Sequence, residues 1–161
     1  MERLIYPTKE ELEKTFFVDL ETGILMRRMK SGKVKIAGTI TGNYMIVCYN
    51  YQRYMAHIIS FILDKGYQPE GIVDHRDGDT LNNRPDNLRE ANNTQNMCNA
   101  KLRKDNSSGF KNVFKERNNW RVRIRVNGKE YSKRGFPTAE EANEYAIKWR
   151  EELHGDFARH E

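Results

Sequence analysis

Cysteine is scarce here and long apolar runs are missing. The only cysteines, Cys48 and Cys98, lie far apart and form no CxxC pair, which leaves neither a disulfide framework nor a thiolate zinc site. No run of about 18 apolar residues occurs, so no membrane-spanning helix is encoded. The start MERLIYPTKEEL lacks the apolar core and small-residue cleavage site of a secretory leader. The expectation is an intracellular, cytoplasmic protein with no membrane partner.

What is present describes a folded chain. With 37% hydrophobic and 32% charged residues, 161 residues suit one ordinary domain or two small ones. The net charge of +5 conceals a sharper division. Residues 101–137 hold 12 Lys or Arg against 3 acids, and residues 138–161 hold 7 acids against 3 bases. A basic middle beside an acidic end is an oriented field that draws a polyanion to the basic side.

The pattern along the chain predicts an α+β protein. In residues 1–71, Thr8 and Glu11 make a capping box, and VDLETGILMRR reads as a hairpin around Thr22 and Gly23. YMIVCYNYQRYMA reads as a second hairpin around Asn50 to Gln52, and HIISFILDKG as a helix stopping at Gly66. In residues 72–100 the order is strand (Ile72, Val73), polar loop, strand (NLREA) and a helix capped by Thr94. Residues 103–109, RKDNSSG, read as a linker between a first domain over 1–102 and a second over 110–161.

In that second part Asn127-Gly128 is a strong hairpin signal, because both residues tolerate positive φ. A two-residue loop pairs Val126 with Lys129, Arg125 with Glu130, Ile124 with Tyr131, Arg123 with Ser132 and Arg121 with Arg134. Thr138 and Glu141 make another capping box, and Ala142, Tyr145, Ala146, Trp149 and Leu153 form an apolar stripe ending near Gly155. Alternation turns Trp120, Val122, Ile124 and Val126 to the helix and Arg121, Arg123 and Arg125 away from it, in steps of about 6.6 Å. That arginine row, with Arg134, suits duplex DNA, whose major groove admits a two-stranded ribbon. Glu130 is the one counter-charge assigned to the row, whereas ordinary outer faces mix signs. The stretches SGFKNV and WRVRIRVNGKEYSKRGFPTAEEANEYA resemble the plant APETALA/ethylene-response-factor DNA-binding domain, a three-stranded sheet on a helix. The resemblance covers roughly 107–155 and implies DNA contacts from Arg121, Arg123, Arg125, Lys133 and Arg134, with Arg117 in the preceding turn as a further candidate. Trp120 stays open between groove and core.

The stretch VDHRDGDTLNNRPDNL, residues 73–88, carries the candidate chemistry. Its DGD does not make a calcium loop, since the ligand positions before Gly78 would fall on Val73, His75 and Asp77. Phosphodiester hydrolysis fits better, because it needs a base for water and a hard cation for the charge on phosphate. Asp74 and His75 can divide those roles, with a second ligand at Asn96 in the first turn of the next helix. From MAHIISF through VDHRDGDTLNNRPDNLREANNTQNMCN, about residues 54–100, the chain resembles the HNH nuclease family and its ββα-metal site, with the core at 72–100. The resemblance implies His75 as general base, Asp74 and Asn96 as metal ligands, and Asn87 as the residue that locks the loop and orients the histidine. Asn96 stands where many members have a second His, so oxygen ligands favour one Mg²⁺ or Mn²⁺ over Zn²⁺.

The remaining polar residues are read more plainly. Asp77, Asp79, Asn82 and Asn83 are expected to bond their own backbone in a turn. His57 starts a helix and is open between a phosphate contact and a packed or capping role, and His154 and His160 are assigned none. The expected protein is a free-standing phage or homing endonuclease acting on double-stranded DNA in the host cytoplasm, as a monomer or weak dimer. By resemblance its products would carry 5′-phosphate and 3′-hydroxyl ends. Competing readings are a non-catalytic DNA-binding regulator with a decayed nuclease motif and an RNA-binding module.

Overall fold

The capping box at Thr8 forms: its hydroxyl accepts from the Glu11 N–H, the Glu11 carboxylate accepts from the Thr8 N–H, and helix α1 runs Lys9–Glu13. The computed structural model describes residues 4–102 and 105–160. They divide into two compact units, Met1–Ala91 and Asn92–Glu161. Several small antiparallel sheets and few helices make the fold mixed α and β. Among the described residues no helix is long and apolar enough to cross a membrane.

The first unit contains two three-stranded sheets, β1(Phe16–Val18) to β3 with β2(Leu25–Arg28) and β3(Val34–Ile36), then β4(Thr39–Thr41), β5(Tyr44–Tyr49) and β6(Gln52–Met55). Both predicted hairpins are present, the second turning on Asn50 and Tyr51 at φ 48° and 62°. Helix α2(Ala56–Lys65) stops at Gly66, which takes the left-handed conformation at φ 82° that its side-chain-free backbone permits. Ile59 and Ile62 of α2 pack into a core with Leu12, Phe16, Leu25 and Val47. Phe61 instead packs on Val73 and Leu88, one from each strand of the hairpin β7(Ile72–His75) and β8(Leu88–Ala91). This contact seats the hairpin that carries Asp74 and His75.

The second unit starts with α3(Asn93–Cys98). Its cap is Asn92, not Thr94, because Asn92 and Gln95 complete a reciprocal capping box that Thr94 would enter too late. Asn96 is therefore the fourth helical residue, past the first three, and its N–H is already bonded to the Asn92 carbonyl. The unit boundary falls between Ala91 and Asn92, ahead of the expected linker, of which residues 103 and 104 lie outside the described residues. One cause is visible in Lys111, whose ammonium donates to the carbonyls of Cys98 at 2.8 Å and Ala100 at 2.6 Å and so ties the end of α3 to this unit.

The rest is the expected sheet and helix, β9(Val113–Glu116), β10(Asn119–Val126) and β11(Lys129–Phe136) in the order β11-β10-β9, backed by α4(Ala139–His154). The register set by Asn127-Gly128 is the one the two-residue loop requires, from Val126↔Lys129 to Arg121↔Arg134. Trp120 then pairs with Phe136, skipping Gly135 at φ 89°. Val122 and Ile124 are fully buried against Ala142 and Ala146, and Trp120 packs beside them on the helix side. Thr138 caps α4 by accepting from the Glu141 N–H.

Candidate active site

Asp74 and His75 end β7 at 7% and 4% exposure, depths at which a carboxylate and an imidazole need polar partners. The antiparallel register sets Arg89 of β8 directly opposite Asp74. Its Nε and Nη2 both lie 3.0 Å from Asp74 Oδ2, with each side chain 8% exposed.

His75 Nε2 lies 3.1 Å from Oδ1 of Asn83, a fully buried residue eight positions on. Because an amide oxygen faces the ring, this contact is a hydrogen bond in the tautomer that carries its proton on Nε2. The Nδ2 of Asn83 has no partner among the described residues, a cost that singles the residue out from ordinary turn asparagines. Asn83 was expected to bond its own backbone; it holds the imidazole instead.

Asn87 does the work of locking the loop. Its Oδ1 accepts from the Asp77 N–H at 3.1 Å, and its Nδ2 donates to Asp77 Oδ1 at 2.9 Å and the Asn82 carbonyl at 2.8 Å. Its backbone carbonyl takes the Arg76 N–H. Asp77 is the hub of the turn, accepting also from Asp79 N–H and Asn82 Nδ2. Burial pushes its carboxyl upward, but these hydrogen bonds and the nearby His75 outweigh that and hold it below its usual value. The loop rests on the β1–β2 turn, where Asn83 N–H donates to the Gly23 carbonyl at 3.0 Å and a Cβ on Gly23 would meet Asn82 Oδ1 at 2.6 Å.

Two aromatic residues complete the surroundings. His57, in the first turn of α2 and 7% exposed, sets its ring against His75 with centroids 5.1 Å apart. Tyr44 at the start of β5 lies 5.4 Å from His57 and 6.5 Å from His75. His57 is thus packed against the candidate base. Burial first, and the neighbouring His75 second, lower its pKa to about 4. Nothing in the spacing of the sequence marked Tyr44, whereas Arg89 could have been read from the strand pairing.

Among the described residues no three His, Cys, Asp or Glu side chains gather to hold a metal. The expected pair, Asp74 and Asn96, supplies one carboxylate and one amide, on β7 of the first unit and α3 of the second.

In the second unit Arg121, Arg123, Arg125 and Arg134 share the face away from α4, as alternation requires. Glu116 of β9 joins them, 3.5 Å from both Arg121 Nη1 and Arg134 Nε, so Glu130 is not their sole counter-charge. Phe114 lies on this face too, with the Arg123 guanidinium 4.7 Å from its ring centre. Lys133 does not: it pairs with Val122 on the helix side, and its ammonium lies 4.3 Å from the Tyr145 ring centre. Arg117 is exposed in the β9–β10 turn at φ 54°.

Residues 54–98, which span α2, β7, the loop, β8 and α3, match the family described as HNH endonuclease. Over 112 residues the chain is 38% identical to Protein 3.8 of Escherichia phage T7, an alignment covering 68% of this chain and 92% of that one. The chain belongs to the HNH endonuclease family. It is also 36% identical over 115 residues to the Uncharacterized HNH endonuclease L560 of Acanthamoeba polyphaga mimivirus, covering 70% of this chain and 59% of that protein. No solved structure matches it significantly.

For this DNA endonuclease two expected outcomes follow from the buried partners. Asn83→Ala removes the amide that faces His75 Nε2, and if His75 takes part in the chemistry cleavage should fall about 10- to 100-fold, the usual penalty for losing an orienting partner. Unchanged single-turnover cleavage would remove Asn83 from the site. His57, with its folded pKa depressed to about 4 from 6.5, is neutral in the fold and gains a proton on unfolding between those values. Its contribution is present in full above pH 6.5 and is lost as pH falls toward 4, about 3 kcal/mol in all. In urea unfolding, His57→Phe should show a shallower loss of stability from pH 7 to 4.5 than wild type; parallel profiles would count against it.

Proposed function

We propose that the chain is a divalent-cation-dependent endonuclease of the free-standing phage or homing type, hydrolysing phosphodiester bonds in double-stranded DNA. The reading rests above all on the buried Asp74–His75 pair, whose carboxylate is fixed by Arg89 and whose imidazole is fixed by Asn83. His75 is the general base: its imidazole takes the proton of the attacking water while Asn83 holds the ring. His57, neutral at working pH, places no positive charge beside His75. Asn87 keeps the loop closed, so that His75 stays at the strand end.

The donor set fits a hard cation. Asp74 would hold it through its carboxylate and Asn96 through its amide oxygen. Oxygen donors alone favour Mg²⁺ or Mn²⁺ over Zn²⁺. Such an ion, when bound, stabilises negative charge on the phosphate and the leaving oxygen. The products carry 5′-phosphate and 3′-hydroxyl ends.

Residues 1–102 are taken as the nuclease part and 103–109 as a linker. Residues 110–161 are an APETALA-like DNA-holding part, in which Arg121, Arg123, Arg125 and Arg134 face the duplex and Arg117 stands at the turn. Lys133, on the helix side, supports the contact less directly. The enzyme would act as a monomer or weak dimer in the host cytoplasm. Supercoiled plasmid carrying source-genome DNA tests the reading: nicking or linearisation with Mg²⁺ or Mn²⁺ and none in EDTA, with ends that DNA ligase can seal. Duplex binding without cleavage under either metal would leave a DNA-binding regulator as the better description.

A further inference from the structure

From Gly23 to Leu63 the chain has no Asp or Glu, yet it has six Lys or Arg, five of them within residues 27–35. These five lie on the β2–β3 hairpin, outside the stretch that matches the nuclease family. Two are committed to the fold. Arg27 donates to the Cys48 carbonyl at 3.2 Å, and Arg28 donates to the Glu13 and Phe16 carbonyls at 3.0 and 3.1 Å. Lys30, Lys33 and Lys35 are exposed and make no ion pair with any described residue.

Their placement is specific. The Met29 N–H bonds the Lys33 carbonyl at 2.8 Å and the Gly32 N–H the Met29 carbonyl at 2.9 Å, a tight turn completed by Gly32 at φ 81°. Lys30 and Lys33 are thereby held at the tip. Lys35 follows on the edge strand opposite Arg27, while Val34 and Ile36, half exposed at 50% and 51%, line the other face of the same strand. One lysine on an edge strand is ordinary protection against pairing with another chain. Three without counter-charge, on a narrow ribbon with bare aliphatic side chains, match a polyanion with a groove.

We propose that the β2–β3 hairpin is a second duplex-DNA contact, through which the nuclease unit grips substrate phosphates with Lys30, Lys33 and Lys35, separately from the arginine face of the second unit. The inference rests on the reading that duplex DNA is the substrate. The partner is duplex DNA because the charge is dense, unopposed and carried by an endonuclease whose other basic face is also a ribbon.

The test is the salt dependence of duplex binding by the full chain in EDTA, where no cleavage intervenes. Each phosphate contact contributes about 0.9 to the slope of log affinity against log salt, so K30A/K33A/K35A should lower the slope by about 2 to 3. Between about 0.05 and 0.2 M salt wild type would then lose roughly 40-fold more affinity than the variant. K30R/K33R/K35R should keep the wild-type slope, which separates charge from folding, and R121A/R123A/R125A should lower it by an independent share. An unchanged slope for the alanine variant overturns the hairpin contact alone. Wild type that binds with the expected slopes but never cleaves overturns the nuclease reading and leaves the hairpin standing. Failure of wild type to bind any duplex, or tighter hairpin-dependent binding to RNA of equal length, overturns the DNA assignment.

Discussion

His75→Ala is expected to lower the rate of DNA cleavage by about 10²- to 10⁴-fold, the range that a positioned general base supplies. The imidazole is 4% exposed and lies among Asn83, His57 and Tyr44, and His57, with its pKa lowered to about 4, is a weaker base than an ordinary imidazole. Truncation also opens a space among these rings, and His75→Gln is the companion variant: it refills most of the volume and presents a polar group to Asn83 without a basic nitrogen. Both variants should bind duplex as wild type does, since the phosphate contacts proposed lie on the β2–β3 hairpin and the arginine face. Single-turnover rates separate the two effects. Cleavage by either variant within tenfold of wild type would require another base. If both variants bound poorly, His75 would belong to the binding surface rather than to the chemistry.

The parts of this fold that were legible in the sequence are those fixed by residues close together in the chain. Asn127-Gly128 sets the β10–β11 register as far as Arg121↔Arg134, and Gly66 stops α2, because turn and cap geometries depend on a few neighbouring φ angles. The nuclease stretch was legible for another reason: VDHRDGDTLNNRPDNL has a recognisable spacing, and the family match over residues 54–98 includes it. What surrounds them was not. His57 and Tyr44 reach His75 from α2 and β5, and no local pattern encodes that approach. Asn83 looked like the neighbouring Asn82, and only its complete burial distinguishes a residue that holds the imidazole from one that bonds within the turn. Lys133 was grouped with Arg134 by adjacency, although strand alternation sends the two to opposite faces. Glu116 escaped notice as a counter-charge because it reaches Arg121 and Arg134 from a third strand.

Removing Arg89 should cost about 3–5 kcal/mol of folding stability, the usual consequence of taking one partner from a buried ion pair. Surface pairs contribute far less, so burial decides the size of the effect. Here each side chain is 8% exposed and the register holds the two opposite each other, which leaves the Asp74 carboxylate little access to water in compensation. Arg89→Met keeps most of the apolar stem and isolates the loss of charge. Asp74→Asn with Arg89→Met should recover part of the stability, since the double variant no longer buries a carboxylate that has lost its arginine, but it should not recover cleavage. Urea unfolding of the three variants measures the first claim; a loss below about 1 kcal/mol for Arg89→Met would place the pair in the class of weak surface bridges. Mg²⁺ gives the second. A cation that binds Asp74 in the folded state stabilises it by mass action, and it should raise the midpoint of Arg89→Met more than that of wild type, because it restores positive charge beside the carboxylate. Equal shifts in Arg89→Met and in the double variant would mean that Mg²⁺ acts elsewhere, and Asp74 would then be a structural partner of Arg89 rather than a metal ligand.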